Sequence, residues 1–438
     1  MVSGMIFMDF MPFTKKETSM KLRKGRAFGA VTVLAALIAG VVSCNVVGST
    51  EPNNKEPVTS GSPSAVTTEA AEPATEEQPD KVVHVVAAGD NLIHYSVYKN
   101  AEALAGGVGY DFKPMYSEVK YLVEGADLAI LNQETIISQS NPIRGADGGQ
   151  LIFNSPPEVA DAVIDLGFDV FTMANNHLLD MGTDGLEESI RFWNQKAEEN
   201  DLTVLGAYLN EEDANNIRVR EVNGVKIAFL AYAHHINGFD SLLDDVPLRV
   251  IKNEEEDVIE RQIKEADQLA DVVIVSAHWG EDDTTVVTDD RIELANKMVD
   301  WGADVILGCH THTAETMEWI ERDDGTKGFV YYSMGNFICA QTDNFNVVGE
   351  MPDFDIVIDG KTNELRLENV GCIPIIIHYE SEFSNMKIYP YSKYSPELAE
   401  RHGLPYAVPQ GSYPEFGWDV INRIIDEQIP AEFRKLDK

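Results

Sequence analysis

The chain has 438 residues, 44% of them hydrophobic, enough to bury the core of one large or two ordinary globular domains, which excludes disorder throughout. With 73 Asp and Glu against 34 Lys and Arg it carries a formal charge of -39, and since the first 43 residues are net basic, the remainder is more acidic still. Nucleic acid and anionic membrane surfaces are poor electrostatic partners for such a body.

The first element is a basic run, Lys21, Arg23, Lys24 and Arg26, followed by the apolar stretch AFGAVTVLAALIAGVV and Ser43-Cys44. A basic n-region, an h-region and a small residue before cysteine resemble a bacterial lipoprotein signal, with Cys44 as the lipidation site. The competing reading is an uncleaved anchor, but about 16 apolar residues fall short of the roughly 20 that span a bilayer comfortably. Met20 precedes the basic run directly, so translation could start there instead of at Met1. Residues 1–44 are thus read as signal peptide, and 45–81, rich in Pro, Ser, Thr and Glu without hydrophobic periodicity, as a disordered stalk. The other cysteines, Cys309, Cys339 and Cys372, show no CxxC spacing, which argues against a thiolate zinc cluster or a dense disulfide framework.

Globular sequence begins at Val82. Apolar β-rich runs alternate with helical patterns: VHVVAAG, a helix near 112–124, LAIL, a helix near 157–166, VFTMA and a helix near 183–199. VKIAFLAYA, a helix near 254–269, VVIVSA, a helix near 290–301, VILG and FVYYSM follow. This alternation predicts a layered α/β domain over 82–345. Gly125, Gly167 and Gly302 each precede an Ala/Phe-Asp pair and a buried strand, the position of a helix C′ glycine. Residues 346–438 read as a small β-rich extension packed on the domain, with a terminal helix in DVINRIIDEQI and no recognisable chemistry.

Ligands collect at the carboxyl ends of strands in open α/β sheets, and six such ends carry metal-ligand residue types. Asp90 follows VHVVAA, Glu134 follows LAIL, Asn176-His177 follows VFTMA, and His278 follows VVIVSA. His310 and His312 follow VILG, and Asn336 follows FVYY. One histidine after a strand is more often a packed or solvent-facing residue than a ligand. Five of the ten histidines (94, 177, 278, 310 and 312) lie at these ends, however, which coincidence explains poorly. Imidazole with carboxylate suits Zn, Mn or Fe better than Ca or Mg. An HxH pair at a strand end can serve two adjacent ions, which a bridging carboxylate then holds about 3.5–4 Å apart.

The segments AAGDNLIH, LNQETI, MANNHLLDMG, AHWGE, GCHTH and YYSMGNF, in this order over roughly 83–340, resemble the blocks of the CapA family, a branch similar to calcineurin-like metallophosphatases. The resemblance implies an α/β/β/α metallophosphatase-like sandwich and two divalent metal ions (Mn, Zn or Fe). It places Asp90, Glu134 and His312 on one ion, and Glu134, Asn176, His278 and His310 on the other. His177 takes the position of a transition-state-stabilising or leaving-group-protonating histidine, against the alternative of a structural hydrogen bond to Asp180. The usual D-x-H of the first block is absent, which leaves open whether His94 is a ligand. NQE replaces the usual second block, so the bridge is Glu134.

Arg144, in the glycine-rich loop NPIRGADGGQ, is either a contact for a substrate phosphate or carboxylate or a solvated loop residue. Asn336 reads as a residue that shapes the loop beside the ions. His234 and His235 are read as packed residues or as substrate-side groups. The resemblance further implies a part in synthesis, export or anchoring of poly-gamma-glutamate at the extracellular face of the cell membrane, through phosphoester or amide chemistry. The expected partners are the membrane, through the lipid anchor, the anionic polymer and a membrane synthase complex, with no nucleic acid. The alternatives are a non-catalytic, metal-stabilised scaffold of that synthase and a secreted nucleotidase or phosphodiesterase.

Overall fold

A computed structural model of the chain describes residues 78–147, 150–238, 240–407 and 416–438. Up to residue 77, the segments expected to be signal, with Cys44, and stalk lie outside the described residues. No helix among the described residues is long and apolar enough to cross a membrane.

In chain order, β1 (Lys81–Asn91) and β2 (Leu128–Asn132) precede a small ladder of β3 (Arg144–Gly145) and β4 (Phe153–Asn154). Then come β5 (Val170–Thr172), β6 (Thr203–Leu205), β7 (Arg218–Val222), β8 (Val225–Ala233), β9 (Val272–Trp279) and β10 (Val305–His310). β11 (Met317–Glu321), β12 (Lys327–Tyr331), β13 (Asn336–Ile338), β14 (Val348–Ile358), β15 (Leu365–His378) and β16 (Lys387–Pro390) complete the set. The first sheet runs β16-β15-β14-β1-β2-β5-β6, with β13 paired to the end of β1, and the second runs β11-β12-β10-β9-β8-β7. β1, β2, β5 and β6 are parallel, as are β8, β9, β10 and β12. Parallel strands covered on both faces read as unbroken apolar runs, and every residue of β2, β9 and β10 is buried.

The sheets face one another: the Ser276 hydroxyl on β9 donates to the Thr172 hydroxyl on β5 at 3.2 Å. Helices cover the outer faces. The helix Glu256–Leu269 turns Ile259, Ile263 and Ala266, spaced by four and three, onto the second sheet. Trp193 of the helix Gly182–Asn200 stacks against Phe171 of β5 at a ring separation of 4.7 Å. The architecture is therefore the expected α/β/β/α sandwich.

Three details differ from the sequence expectations. The helix expected over 112–124 is two short pieces, Lys113–Tyr116 and Lys120–Glu124, because the chain tightens through i→i+3 bonds such as Val119 N–H to the Tyr116 carbonyl. A helix at Tyr95–Leu104 escapes sequence reading; it buries only Val97, Tyr98 and Ala101, too short a face to show a period. Gly167 and Gly302 are left-handed at φ 112° and 125°, but Gly125 ends its helix at φ -83°.

The segment after residue 345 builds part of the main sheet, since β14 pairs antiparallel with β1 from Lys81↔Ile358 to Val86↔Asp353 and carries β15 and β16 beyond it. Asp353 on β14 holds the chain end through Lys435 and Lys438 at 2.5 and 3.0 Å. The terminal helix spans Trp418–Gln428. Cys309, Cys339 and Cys372 are buried and free.

Candidate metal centre

Register brings the polar strand ends level. Across the first sheet Asp90 stands opposite Asn132 on β2 and opposite Asn336 on β13, while Asn132 faces Thr172. In the second sheet His278 is level with Cys309 on β10 and with Ala233 on β8. Packing this close needs glycine: a side chain at Gly89 would drive its Cβ into the Gly335 carbonyl, and one at Gly308 into the Tyr332 carbonyl. At the end of β10 the chain turns through His310 at φ 100° and His312 at φ 60°, so the two imidazoles diverge instead of sharing one face, as residues two apart do along a straight strand.

Two groups of ligand atoms result, each with its members within 4.8 Å of one another: Glu134 with His278 and His310, and Asp90 with Glu134 and His312. All five residues are buried, and Glu134 belongs to both groups. Its Oε1 lies 3.7 Å from His278 Nε2 and 3.7 Å from His312 Nε2. The Asn176 amide oxygen stands 3.0 Å from His278 Nε2, and Asn237 meets the amide nitrogen at 3.4 Å, so the oxygen faces the first group. Asp90 receives the Asn132 amide at 2.6 Å and the His310 backbone N–H at 3.2 Å. The Asn336 amide donates to the His312 and Asn346 carbonyls, and its oxygen lies 3.1 Å from His312 Nδ1.

The donor set fits cations. Both Glu134 oxygens and His310 Nδ1 are buried without a hydrogen-bond partner, an arrangement that is costly unless a bound ion satisfies them. The electrostatics show the same strain. Burial and the Asp90 charge push the Glu134 carboxyl well above its usual range. Burial and neighbouring imidazoles push His278 down and His310 down to about 2, which leaves them neutral, the form that binds metal. Burial opposes charging of His312, yet Glu134 and Asp90 raise it to about 10, a measure of the negative charge gathered around the ring.

His177 follows Asn176 on the same loop. Its Nδ1 lies 2.8 Å from the Asp180 carboxylate, which also accepts the Phe153 N–H at 2.7 Å. The structural hydrogen bond weighed from sequence is therefore present, and it orients the ring, which lines a cavity of about 300 Å³ beside the metal ligands together with His94, Phe153, Asp282 and His312. His94 stands apart from both ligand groups, its Nδ1 accepting the Ala340 N–H at 3.3 Å. Arg144 does not line the cavity; it is exposed and pairs with Asp147 at 3.4 Å. His235 packs edge-on to His310 with ring centroids 5.2 Å apart, while His234 lies beside it and contacts the Gly280 carbonyl at 3.4 Å.

Two acidic residues of this region escape sequence reading. Asp282 projects over the centre with its carboxylate 3.6 Å from His310 Nδ1 and 3.9 Å from His312 Nε2. The acidic run EDD, beginning three residues after His278, was the available signal. The second is Glu315, buried against Arg291 in a bidentate pair at 2.7 and 2.9 Å, three residues beyond His312.

The family model of the bacterial capsule synthesis protein PGA_cap matches residues 84–341, more than half of the chain and every candidate ligand above. The chain belongs to this capsule synthesis family. Within it, the Capsule biosynthesis protein CapA of Bacillus anthracis is 34% identical over 188 residues, 42% of this chain and 43% of that protein. The PGA biosynthesis protein CapA of Bacillus subtilis (strain 168) is 30% identical over 228 residues, 52% and 57%. The matched region thus spans about half the length of these curated relatives. Among solved structures, the calcineurin-like phosphoesterase YfkN of Bacillus subtilis aligns over 80% of this chain and 97% of its own at 14% identity and a TM-score of 0.36. A phosphatase from Mycoplasma pneumoniae aligns over 67% and 94% at 17% identity, also with a TM-score of 0.36.

Asn336 offers a test of ligand orientation in this family site. Asn336→Ala should weaken divalent-metal affinity about 10–100-fold, the usual cost of losing a residue that orients a metal-bound imidazole, as measured by competition with a chromophoric chelator.

Proposed function

We propose that this family member is a metal-dependent hydrolase acting on an acidic capsule polymer of the poly-gamma-glutamate type, held by a lipid on Cys44 at the extracellular face of the cell membrane. The observation that carries the reading is Glu134, a buried carboxylate with both oxygens unpartnered, common to two three-residue ligand groups. Two divalent ions in these groups would supply Lewis acidity and a water activated near neutral pH. Asp90, Glu134 and His312 would hold one, and Glu134, Asn176, His278 and His310 the other.

The protein's own residues supply the rest. His177, its Nδ1 side fixed by Asp180, lines the cavity and in this reading donates a proton to the leaving group from Nε2. Phe153, edge-on to His177 with ring centroids 4.6 Å apart, shields that side from water. Membership in the capsule synthesis family supports the polymer, and the capsule relatives' names support a place in the cell envelope.

The test is turnover of poly-gamma-glutamate and of a phosphodiester reporter by the Mn- and Zn-loaded chain. His177→Ala should lower kcat by about 10²–10⁴, the usual contribution of a positioned general acid, with both ions retained. A wild-type chain that binds both ions and turns over neither substrate would leave a scaffold in place of an enzyme.

A further inference from the structure

The metal cavity poses an electrostatic problem for an acidic polymer. Its rim carries Asp282, Asp283 and Asp343, and no Lys or Arg is found among its described lining residues. Only the ions could attract carboxylates there, and a chain with one charge per repeat would be repelled on either side of them. Anchorage must come from elsewhere on the surface.

A second cavity, of about 530 Å³, offers it. His378, Lys387, Arg401, Glu380 and Asn385 line it, with Leu104 among its apolar residues. His378 is 2% exposed, and its Nε2 is buried without a hydrogen-bond partner, while Nδ1 lies 2.9 Å from the Tyr394 hydroxyl. With that hydroxyl donating to Nδ1, Nε2 carries the proton and lacks an acceptor. Burial lowers the His378 pKa to about 4, so the ring is a neutral donor and the positive charge comes from Lys387 and Arg401. Those cations meet only partly exposed acids, Glu118 at 3.6 Å and Glu380 at 3.1 Å. Partly exposed pairs of this kind contribute little stability and exchange readily for a ligand carboxylate.

The cavity wall is also built at a cost. Glu382, Phe383 and Asn385 all adopt left-handed backbone, at φ 59°, 56° and 53°. Non-glycine residues hold such conformations only where their surroundings impose them, often at ligand clamps. Here Asn100 imposes them: its amide donates to the Phe383 carbonyl and its oxygen accepts the Met386 N–H.

The same helix joins the two cavities. His94 at the N-cap of the helix Tyr95–Leu104 lines the metal cavity, whereas Asn100, Ala103 and Leu104 line the second, roughly 9–15 Å away at 1.5 Å per residue. A second link is Tyr379, next to His378, whose hydroxyl donates to the carbonyl of Gln341 in the metal cavity at 3.3 Å.

We infer that the cavity around His378, Lys387 and Arg401 is an exosite that takes pendant carboxylates of an acidic polymer whose reacting bond lies at the metal centre. The inference rests on the proposed polymer but not on turnover, so binding alone tests it. Fluorescent poly-gamma-glutamate is titrated by anisotropy against the full-length chain stripped of metal with a chelator. Lys387→Ala/Arg401→Ala should weaken binding at least tenfold, and His378→Phe, which keeps the ring and removes the donor, severalfold, with reloaded metal content at the wild-type level in both. Wild-type affinity in the double variant, absence of polymer binding by the wild type, or equal affinity for polyphosphate would each overturn the exosite. Binding that depends on these residues in a chain without hydrolytic activity would uphold it while the hydrolase reading fell.

Discussion

Glu134→Ala should remove both metal ions at once. The wild-type chain, dialysed against Mn or Zn and counted by elemental analysis, is expected to hold two ions and the variant close to none. His278→Ala and His312→Ala should each lose chiefly one, because each imidazole belongs to a single ligand group while Glu134 belongs to both. The reason is local. No hydrogen bond holds either Glu134 oxygen, and both lie in a fully buried position beside a second carboxylate, Asp90, so a cation is the partner that makes their burial tolerable. Binding should also appear as stability. An ion present at 100 times its Kd adds about 2.7 kcal/mol to the folded state, so the wild-type Tm should rise on metal addition and that of Glu134→Ala should stay flat. Two ions retained by Glu134→Ala would refute the shared bridge.

Arg291→Met should be the most destabilising of the single substitutions considered, by about 3–5 kcal/mol in urea unfolding, a large part of the 5–15 kcal/mol typical of a domain. Arg291 and Glu315 are 3% and 0% exposed and meet through two hydrogen bonds, so removing the guanidinium strands a buried carboxylate that burial already pushes above its usual range. The double variant Arg291→Met/Glu315→Leu should recover most of the loss, since a buried ion pair is often replaced by apolar side chains of similar volume at little cost. Failure of the second substitution to rescue would mean that the Arg291 bond to the Val286 carbonyl at 2.8 Å, not the ion pair, sustains this region. Because Glu315 closely follows His312, the single variant should also bind metal more weakly, and the double variant should bind it better than the single.

How far the site could be read from sequence depended on whether its residues lay at ends of apolar runs. Asp90, Glu134, Asn176, His278, His310 and His312 each lie at or just past the carboxyl end of a buried strand, and parallel strands announce themselves as continuous apolar segments whose ends need no long-range information to locate. Asp282 and Glu315 lie in loops past those ends, where position depends on what packs opposite. Asp283, for example, pins its loop by donating its N–H to the Thr311 carbonyl at 3.0 Å, a contact across 28 residues. Arg144 shows the reverse: a cation in a suggestive glycine-rich loop turns to Asp147 on the surface. The segment after 345 read as an appendage because an antiparallel hairpin has the same local pattern at a sheet's edge as in its middle, and only the pairing of β14 with β1 set its place.

The sequence by itself determined the layered α/β class, the ligand types and their order, since these follow from local periodicity and from the chemistry of imidazole and carboxylate. Tertiary structure brought the candidate ligands within reach of one another in two groups, through the left-handed turns at His310 and His312 and the packing of two sheets that sets Glu134 between them. It also decided that the cations suited to an acidic polymer lie in a second cavity at the far end of one short helix. Such groupings depend on contacts between residues tens to hundreds of positions apart, and no local pattern encodes them.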